Sequence, residues 1–425
     1  MRDRDGSLPG NINSYTGLTG ANATALYGYG IIHEPTLADL NTGLNTVNQI
    51  ISSDRNRFTF DCLAGIWRSW DGNFQTSWTA FDNYVTTYVN NTSTRVAAFD
   101  YYVFIDMMNN GTIDYSPLGA DRVNYFRTLN LFATRAGAAS KPFWGIAEAC
   151  EYMIRWYNNG TWVQDDYHVV PTDPILRYNA FTHICYGSKG IIWFNYERPN
   201  ARCPANPTST CEDYRTGAAN TDATVYSRVS QINLEMQNMS PTLMQLNWNT
   251  TVHGASTDPL SGETDLATIS ASTPVLAQFN LDPQVAIGVH THRSAGNPYL
   301  TILNKNFNSA KTNVPIVLRG ICQVYIFNKA NSTWSAAGVS ANFANNTTTF
   351  NVNLPAGDMA LVNINPWVLK PIYQYWNSGL TDHWYPGSWQ GNNNGAGWQF
   401  ECVWGFMYNS QWDGTVPLYQ YWNAG

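Results

Sequence analysis

Charge is scarce in this chain. Of 425 residues, Lys and Arg supply 23 and Asp and Glu 30, so charged side chains make up 12% and the formal net charge is −7. With no basic cluster anywhere, the phosphate-neutralising surface of a nucleic-acid binder is missing, and that partner class is excluded. Long apolar runs are missing too. None approaches the roughly 20 residues that span a bilayer, and Met1–Gly10 holds no apolar core of a signal peptide. Cysteine is sparse and odd in number, at positions 62, 150, 185, 203, 211, 322 and 402, too few for a disulfide scaffold in a chain this long. No Cys-x-x-Cys or clustered Cys/His spacing occurs, so neither a metal site nor a cofactor is expected. His290 and His292 fall on one side of a strand pattern and read as a surface feature.

What is abundant is Asn, Thr, Ser, Trp and Tyr. Ten N-x-S/T sequons occur, at Asn22, Asn90, Asn91, Asn110, Asn159, Asn238, Asn249, Asn331, Asn345 and Asn346. So many acceptor sites, several in loop-like stretches, favour a secreted, extracellular glycoprotein. In that oxidising setting Cys203 and Cys211, which enclose the Pro/Thr-rich loop PANPTST, are expected to form a local disulfide. Cys62, Cys150 and Cys185 lie in or beside apolar segments. A second bridge between Cys150 and Cys185 is left open.

Four short apolar runs end in acids or aromatics. YGYGIIHEPT (27–36) delivers Glu34 into a turn closed by Pro35. RVAAFDYYVF (95–104) ends on Asp100 and Tyr101, KPFWGIAEACEY (141–152) on Glu148, and GSKGIIWFNYE (187–197) on Trp193 and Glu197. Segments long enough for helices separate them, the alternation of a parallel α/β fold. Strands are expected at 28–32, 58–63, 96–104, 142–147 and 190–194. Loops at the carboxyl ends of such strands are where barrel enzymes carry their chemistry.

The order His-Glu-Pro, Asp-Tyr-Tyr, Lys-Pro-Phe-Trp-x-x-Ala-Glu and Gly-x-Lys-Gly-Ile-Ile-Trp-Phe resembles the later half of a clan A glycoside hydrolase barrel, of the β-galactosidase and related retaining type. The resemblance covers residues 28 to 197. It implies that Glu34 ends the fourth barrel strand as acid/base and Glu148 the seventh as nucleophile, with Glu151 as a competitor for that role. It also implies sugar contacts from His33, Asp100, Tyr101, Trp144, Trp193 and Glu197. His33 stands where the family usually has asparagine. A full (β/α)8 barrel needs roughly 250 residues, and about 27 precede the Glu34 strand. The expectation is therefore a partial barrel of about five strands, its amino-terminal half absent or supplied by another chain.

Beyond the barrel, the apolar spacing of Val225, Val229, Ile232, Met236 and Met239 predicts a helix packing back on it. From about 265 to 365, short alternating runs (ATISAS, VAIGVHTH, YLTILNKN, VPIVLRG, CQVYIFN, TTFNVNL, MALVNI) predict an antiparallel sandwich. From Trp367 onward, 16 of 59 residues are aromatic, and PIYQYWNSG at Pro371 recurs as PLYQYWNAG at Pro417, an internal repeat. This tail resembles a family of secreted aromatic repeat modules, a resemblance that implies glycan binding. Trp384, Trp389 and Trp412 are its expected exposed platforms. The domains expected are thus 1–262, a partial glycosidase-like (β/α) barrel with a trailing helix; 263–366, a β-sandwich; and 367–425, a small aromatic β-repeat module.

Two functions follow. One is a secreted glycoside hydrolase that uses two carboxyl groups about 5–5.5 Å apart in a retaining mechanism. The other is an extracellular structural or adhesive glycoprotein, a filament or coat component built on a degenerate hydrolase fold. Glycans or polysaccharides are the expected partners, with self-assembly or a partner chain in the second reading.

Overall fold

The structure, a computed structural model, describes residues 28–33, 35, 39–53, 58–65, 78–103, 105–106, 118–149, 152–158, 161–168, 172–194, 211–214, 223–254, 267–278, 280–342, 344–366, 369–386 and 396–408. Its first unit alternates strand and helix. The order is β1 (Gly28–His33), α1 (Leu40–Ser53), β2 (Phe58–Ala64), α2 (Trp78–Asn91), β3 (Ala97–Asp100), β4 (Ile105–Asp106), α3 (Leu118–Ala138) and β5 (Phe143–Glu148). Then come β6 (Tyr152–Asn158), β7 (Thr161–His168), α4 (Asp173–Cys185), β8 (Gly190–Phe194), β9 (Cys211–Tyr214) and α5 (Ala223–Leu243).

Strands β1, β2, β3, β5 and β8 form one parallel sheet in that order. Each successive strand is added at the same edge, so all five carboxyl ends share one rim. Among the described residues β1 and β8 each have a neighbour on one side only. The strand expected over 96–104 is shorter. β3 stops at Asp100, and the chain turns at Val103 into β4, which pairs in a different sheet.

Parity divides the sheet. Leu63, Ala97, Phe99 and Phe143 join a core with Leu44 of α1, Phe81, Tyr84, Val85 and Tyr88 of α2, and Phe126, Leu129 and Phe132 of α3. Helix α2 shows why it forms: its buried residues 81, 84, 85, 88 and 89 repeat at the 3.6-residue helical period, giving one apolar stripe. The rings of Phe99 and Phe132 stack at 4.3 Å between sheet and helix. Neighbouring positions, Cys62, Ala98, Asp100, Ile146 and Glu148, alternate to the other, inner face.

Three loops that leave the carboxyl rim build a second sheet. β4 follows β3, β6 and β7 follow β5, and β9 follows β8, and they pair in the order β4-β7-β6-β9. This antiparallel sheet is therefore anchored beside Asp100 and Glu148.

Next come β10 (Leu246–His253), β11 (Val285–His292), β12 (Pro298–Asn304), β13 (Lys311–Arg319), β14 (Cys322–Asn328), β15 (Thr333–Ala336), β16 (Val339–Asn342), β17 (Thr347–Leu354) and β18 (Met359–Pro366). A six-stranded sheet, β10-β11-β12-β18-β14-β15, faces a three-stranded one, β13-β17-β16. Val285, Ile287, Leu300, Ile302 and Val362 from the first share a core with Ile316, Leu318, Phe350 and Val352 from the second. Alternation in TTTFNVNL, with Phe350, Val352 and Leu354 inward and Asn351 and Asn353 outward, is what makes β17 a sandwich strand. Strand β10 precedes the expected boundary at 262 yet pairs with β11. ATISAS makes only an isolated bridge, at Thr268. His290, expected at the surface, is buried, with Nε2 2.9 Å from Thr301 Oγ1. Its strand has two covered faces, because α4 packs behind it.

That packing unites the two units. Leu176, Phe181 and Ile184 of α4 and Val225 and Ile232 of α5 share a core with Ala286, Leu303 and Leu361 of the six-stranded sheet. At its margin lies an ion cluster. Arg177 grips Glu235 bidentately at 2.7 and 2.8 Å and lies 3.6 Å from Asp358. Lys329 pairs with both acids. Cys185 is a buried thiol whose Sγ donates to the Thr301 carbonyl, so it takes no part in a bridge with Cys150.

The last unit is a three-stranded sheet, β19 (Leu369–Asn377), β20 (Asp382–Trp384) and β21 (Trp398–Tyr408), in the order β20-β19-β21.

Candidate active site

Asp100 and Glu148 define the site. Both end parallel strands, so both sit at the carboxyl rim. The register pairs Asp100 with Ile146, and Glu148 lies two residues beyond Ile146 on the same face. The two acids are thus on adjacent strands, one inner face, staggered by one side-chain repeat. Both are buried, with 0% and 3% of their surface exposed. Asn179 of α4 donates to the Glu148 carbonyl at 3.3 Å and pins the strand end. Tyr102 donates to Asp100 Oδ2 at 3.4 Å, and its ring lies 5.2 Å from that of Phe194. Phe194 pairs in register with Glu148 and so shares its face. Tyr102, Phe194 and Asn179 complete the site, and none was singled out from sequence. The signal that could have found them is parity: counted from Glu148 and Asp100, the inner-face positions are Phe194 and Tyr102.

The same parity corrects three expectations. Tyr101 belongs to the helix-side core, 4% exposed, with its ring against Gly65 and 5.3 Å from the Tyr125 ring. Trp193 pairs with Ala147, turns away from Glu148, and donates from Nε1 to Asn233 of α5 at 2.8 Å. It therefore does not face Glu148 as a sugar contact would. Trp144 is on the inner face but four residues upstream of Glu148, about 13 Å deeper along the strand. Its ring covers Gly190, where any side chain would collide with it.

Glu34, Glu151 and Glu197 lie outside the described residues, as does Cys203 of the expected Cys203–Cys211 disulfide. His33 closes β1, in register with Cys62. The Tyr84 hydroxyl donates to the carbonyl of Pro35, the residue after Glu34, at 2.6 Å. In the sheet β1 is the third neighbour of β5, the separation that fourth and seventh barrel strands have.

Behind the site, on the helix side, His183 of α4 packs over Gly145. Burial pushes its pKa down to about 3, with a backbone hydrogen bond to Ile146 acting the other way. It is a neutral core imidazole on the face opposite Glu148. Among the described residues no three His, Cys, Asp or Glu side chains converge as a metal site would, and no helix is long and apolar enough to cross a membrane.

Of the sequons, Asn90, Asn91, Asn249, Asn331, Asn345 and Asn346 are exposed. Asn238 is half-buried on α5, its amide donating to the Lys329 carbonyl at 2.7 Å. Packing of α5 on the sandwich removes it from the accessible acceptors. Asn22, Asn110 and Asn159 lie outside the described residues.

No protein-family model matches the chain, and no curated protein matches it in sequence. Solved structures similar to it include a cycloisomaltooligosaccharide glucanotransferase from Paenibacillus sp., at 7% identity and TM-score 0.38, covering 77% of this chain and 58% of that one. A β-galactosidase from the Antarctic haloarchaeon Halorubrum lacusprofundi is 15% identical, with TM-score 0.30, over 48% of this chain and 27% of its own. A bifunctional glucanase-xylanase from a metagenome library is 10% identical, with TM-score 0.32, over 78% and 60%. The chain thus spans less than two thirds of the length of each.

Proposed function

We propose that the protein is a secreted glycoside hydrolase whose five-stranded sheet is the fourth-to-eighth-strand arc of a (β/α)8 barrel. The remaining strands are supplied from outside the described residues. The observation that carries this reading is the pair of buried acids, Asp100 and Glu148, on the inner face at the carboxyl rim of a sequentially ordered parallel sheet. Glu148 is the nucleophile and Glu34, the residue before Pro35, the acid/base. Asp100 and Tyr102 bind sugar hydroxyls, and Phe194 forms an apolar wall.

In a retaining reaction the Glu148 carboxylate attacks the anomeric carbon as Glu34 protonates the departing oxygen. Water then breaks the glycosyl ester with Glu34 as base. The test is hydrolysis of aryl β-glycosides by the protein as its source secretes it. Glu148→Gln should abolish turnover, since an amide cannot form the ester. Glu34→Gln should keep partial activity on aryl groups that leave without a proton. If Glu151→Gln is the inactive variant instead, the nucleophile is misassigned. If no glycoside is cleaved, the reading fails. The alternative, a structural or adhesive role, is favoured by one feature: the two sheet edges, β1 and β8, where another chain could add strands.

A further inference from the structure

We infer that the carboxyl-terminal three-stranded sheet carries a binding site for a neutral pyranose polysaccharide, on the face opposite its aromatic core. One face of this sheet is closed. Tyr375 is fully buried, with the rings of Trp384 and Phe400 each 5.6 Å away and Trp398 a further 5.8 Å beyond Trp384. Trp384, an expected sugar platform, is therefore part of that core. Trp389 and Trp412 lie outside the described residues.

Among the described residues the other face is ordered differently. Trp376 stands opposite His383 in the β19–β20 ladder, their rings 4.7 Å apart. The Tyr385 ring continues the row, stacked 6.2 Å from His383, and Tyr385 is 40% exposed. Beside this row Glu401 accepts from Gln374 at 2.7 Å and lies 3.1 Å from His383 Nε2. The His383 and Glu401 side chains are 38% and 39% exposed.

The chemistry of the row selects its ligand. A pyranose presents a face of C–H groups that stacks on a flat ring and a rim of hydroxyls that both donate and accept. Here three rings follow one another, Trp376 and His383 inclined at 47° and His383 and Tyr385 at 27°, and an acceptor (Glu401) and a donor (Gln374) border them. An anionic polymer would meet the Glu401 carboxylate. A neutral sugar carries no charge to oppose it. Of these residues Gln374 and Trp376 recur in the sequence as Gln420 and Trp422.

This site deepens the expected glycan-binding role of the module and does not depend on hydrolysis. The test is binding of the full chain, as Glu148→Gln, to cellulose, β-1,3-glucan, chitin, mannan and galactan, followed by sedimentation and by tryptophan fluorescence. We expect at least one to be bound. Trp376→Ala should weaken that binding roughly tenfold, and so should Tyr385→Ala, whose ring is 40% exposed. Glu401→Gln should weaken it less. Failure of all five polymers to bind overturns the inference, as does unchanged binding by Tyr385→Ala, or displacement of the polymer by choline. Because Glu148→Gln is the parent, loss of hydrolysis and loss of binding are read separately.

Discussion

Acid should unfold this protein through two histidines before it does so through its carboxylates. His183 and His290 are wholly buried, and burial is the first cause that takes each from 6.5 to about 3, with the charge of Lys189 adding to it at His290. The native state therefore refuses two protons that the unfolded chain accepts. Both groups have depressed folded values, so stability is full above about 6.5 and falls as pH drops toward 3. Between pH 6 and 5 an unfolded histidine is mostly protonated and the native one is not. Each then costs roughly 1.2 kcal/mol over that unit, and the pair roughly 2.5 kcal/mol. Asp82 and Glu235, both lowered from values of 3.8 and 4.5, add their loss below that window. Urea unfolding followed by fluorescence at half-unit steps from pH 7 to 5 measures the slope. His290→Gln keeps an amide for Thr301 and removes the titration, so its slope should fall by half. A wild-type slope near zero between pH 6 and 5, or an unchanged slope in His290→Gln, would refute the reasoning.

Arg177→Met should destabilise the protein by about 3–5 kcal/mol in the same unfolding assay, because it leaves Glu235 and Asp358 buried against Lys329 alone. Gly288→Ala should cost about 2 kcal/mol or more and expose the α4–sandwich interface to protease, since a Cβ there would stand 2.1 Å from the Cys185 carbonyl oxygen. A disulfide reagent should modify Cys402 at once in the native protein and reach Cys62, Cys185 and Cys322 only on unfolding, as the last three are buried. Tyr84→Phe, by removing the hydrogen bond to the Pro35 carbonyl next to Glu34, should slow cleavage of poor leaving groups severalfold and leave activated aryl glycosides nearly unaffected. An equal loss on both would mean that Tyr84 acts on the fold rather than on the acid.

Strands of a parallel sheet announce themselves in sequence as short apolar runs, so all five parallel strands were legible: IIH, FTFDCLA, AAFD, FWGIAE and GIIWF. The helix at 223–243 was legible for the same reason at a different period, with Val225, Val229, Ile232 and Met239 buried. The sandwich followed from alternation. What escaped were contacts made across units. Nothing in VAIGVHTH shows that α4 will cover its outer face and bury His290, and nothing in QNMSP shows that Asn238 will reach the Lys329 carbonyl. Burial on the far side of a sheet is decided by a neighbour distant in sequence, and local period carries no trace of it.

The site failed in sequence for a subtler cause, which also supports it in structure. A run of apolar residues lacks the period-2 pattern that would reveal which positions face which way, so Tyr101 and Tyr102, or Trp193 and Phe194, are indistinguishable on the page. The ladder resolves them. Once Phe99 is seen stacked on Phe132, Asp100 must face inward and Tyr101 outward. Once Ala147 is paired with Trp193, Glu148 and Phe194 must share the inner face. Two acids reached by independent strands arrive on the same face as Tyr102 and Phe194, while Tyr101 and Trp193 are turned to the helices. A sheet that only needed to pack would expose the acids. Here Asp100 and Glu148 are themselves buried, each on a strand that a helix backs, at the desolvation cost of any enclosed carboxyl group. Removing that cost without touching the packing gives the discriminating result: if Glu148→Gln raises the unfolding midpoint as it abolishes turnover, the acid is held there for chemistry.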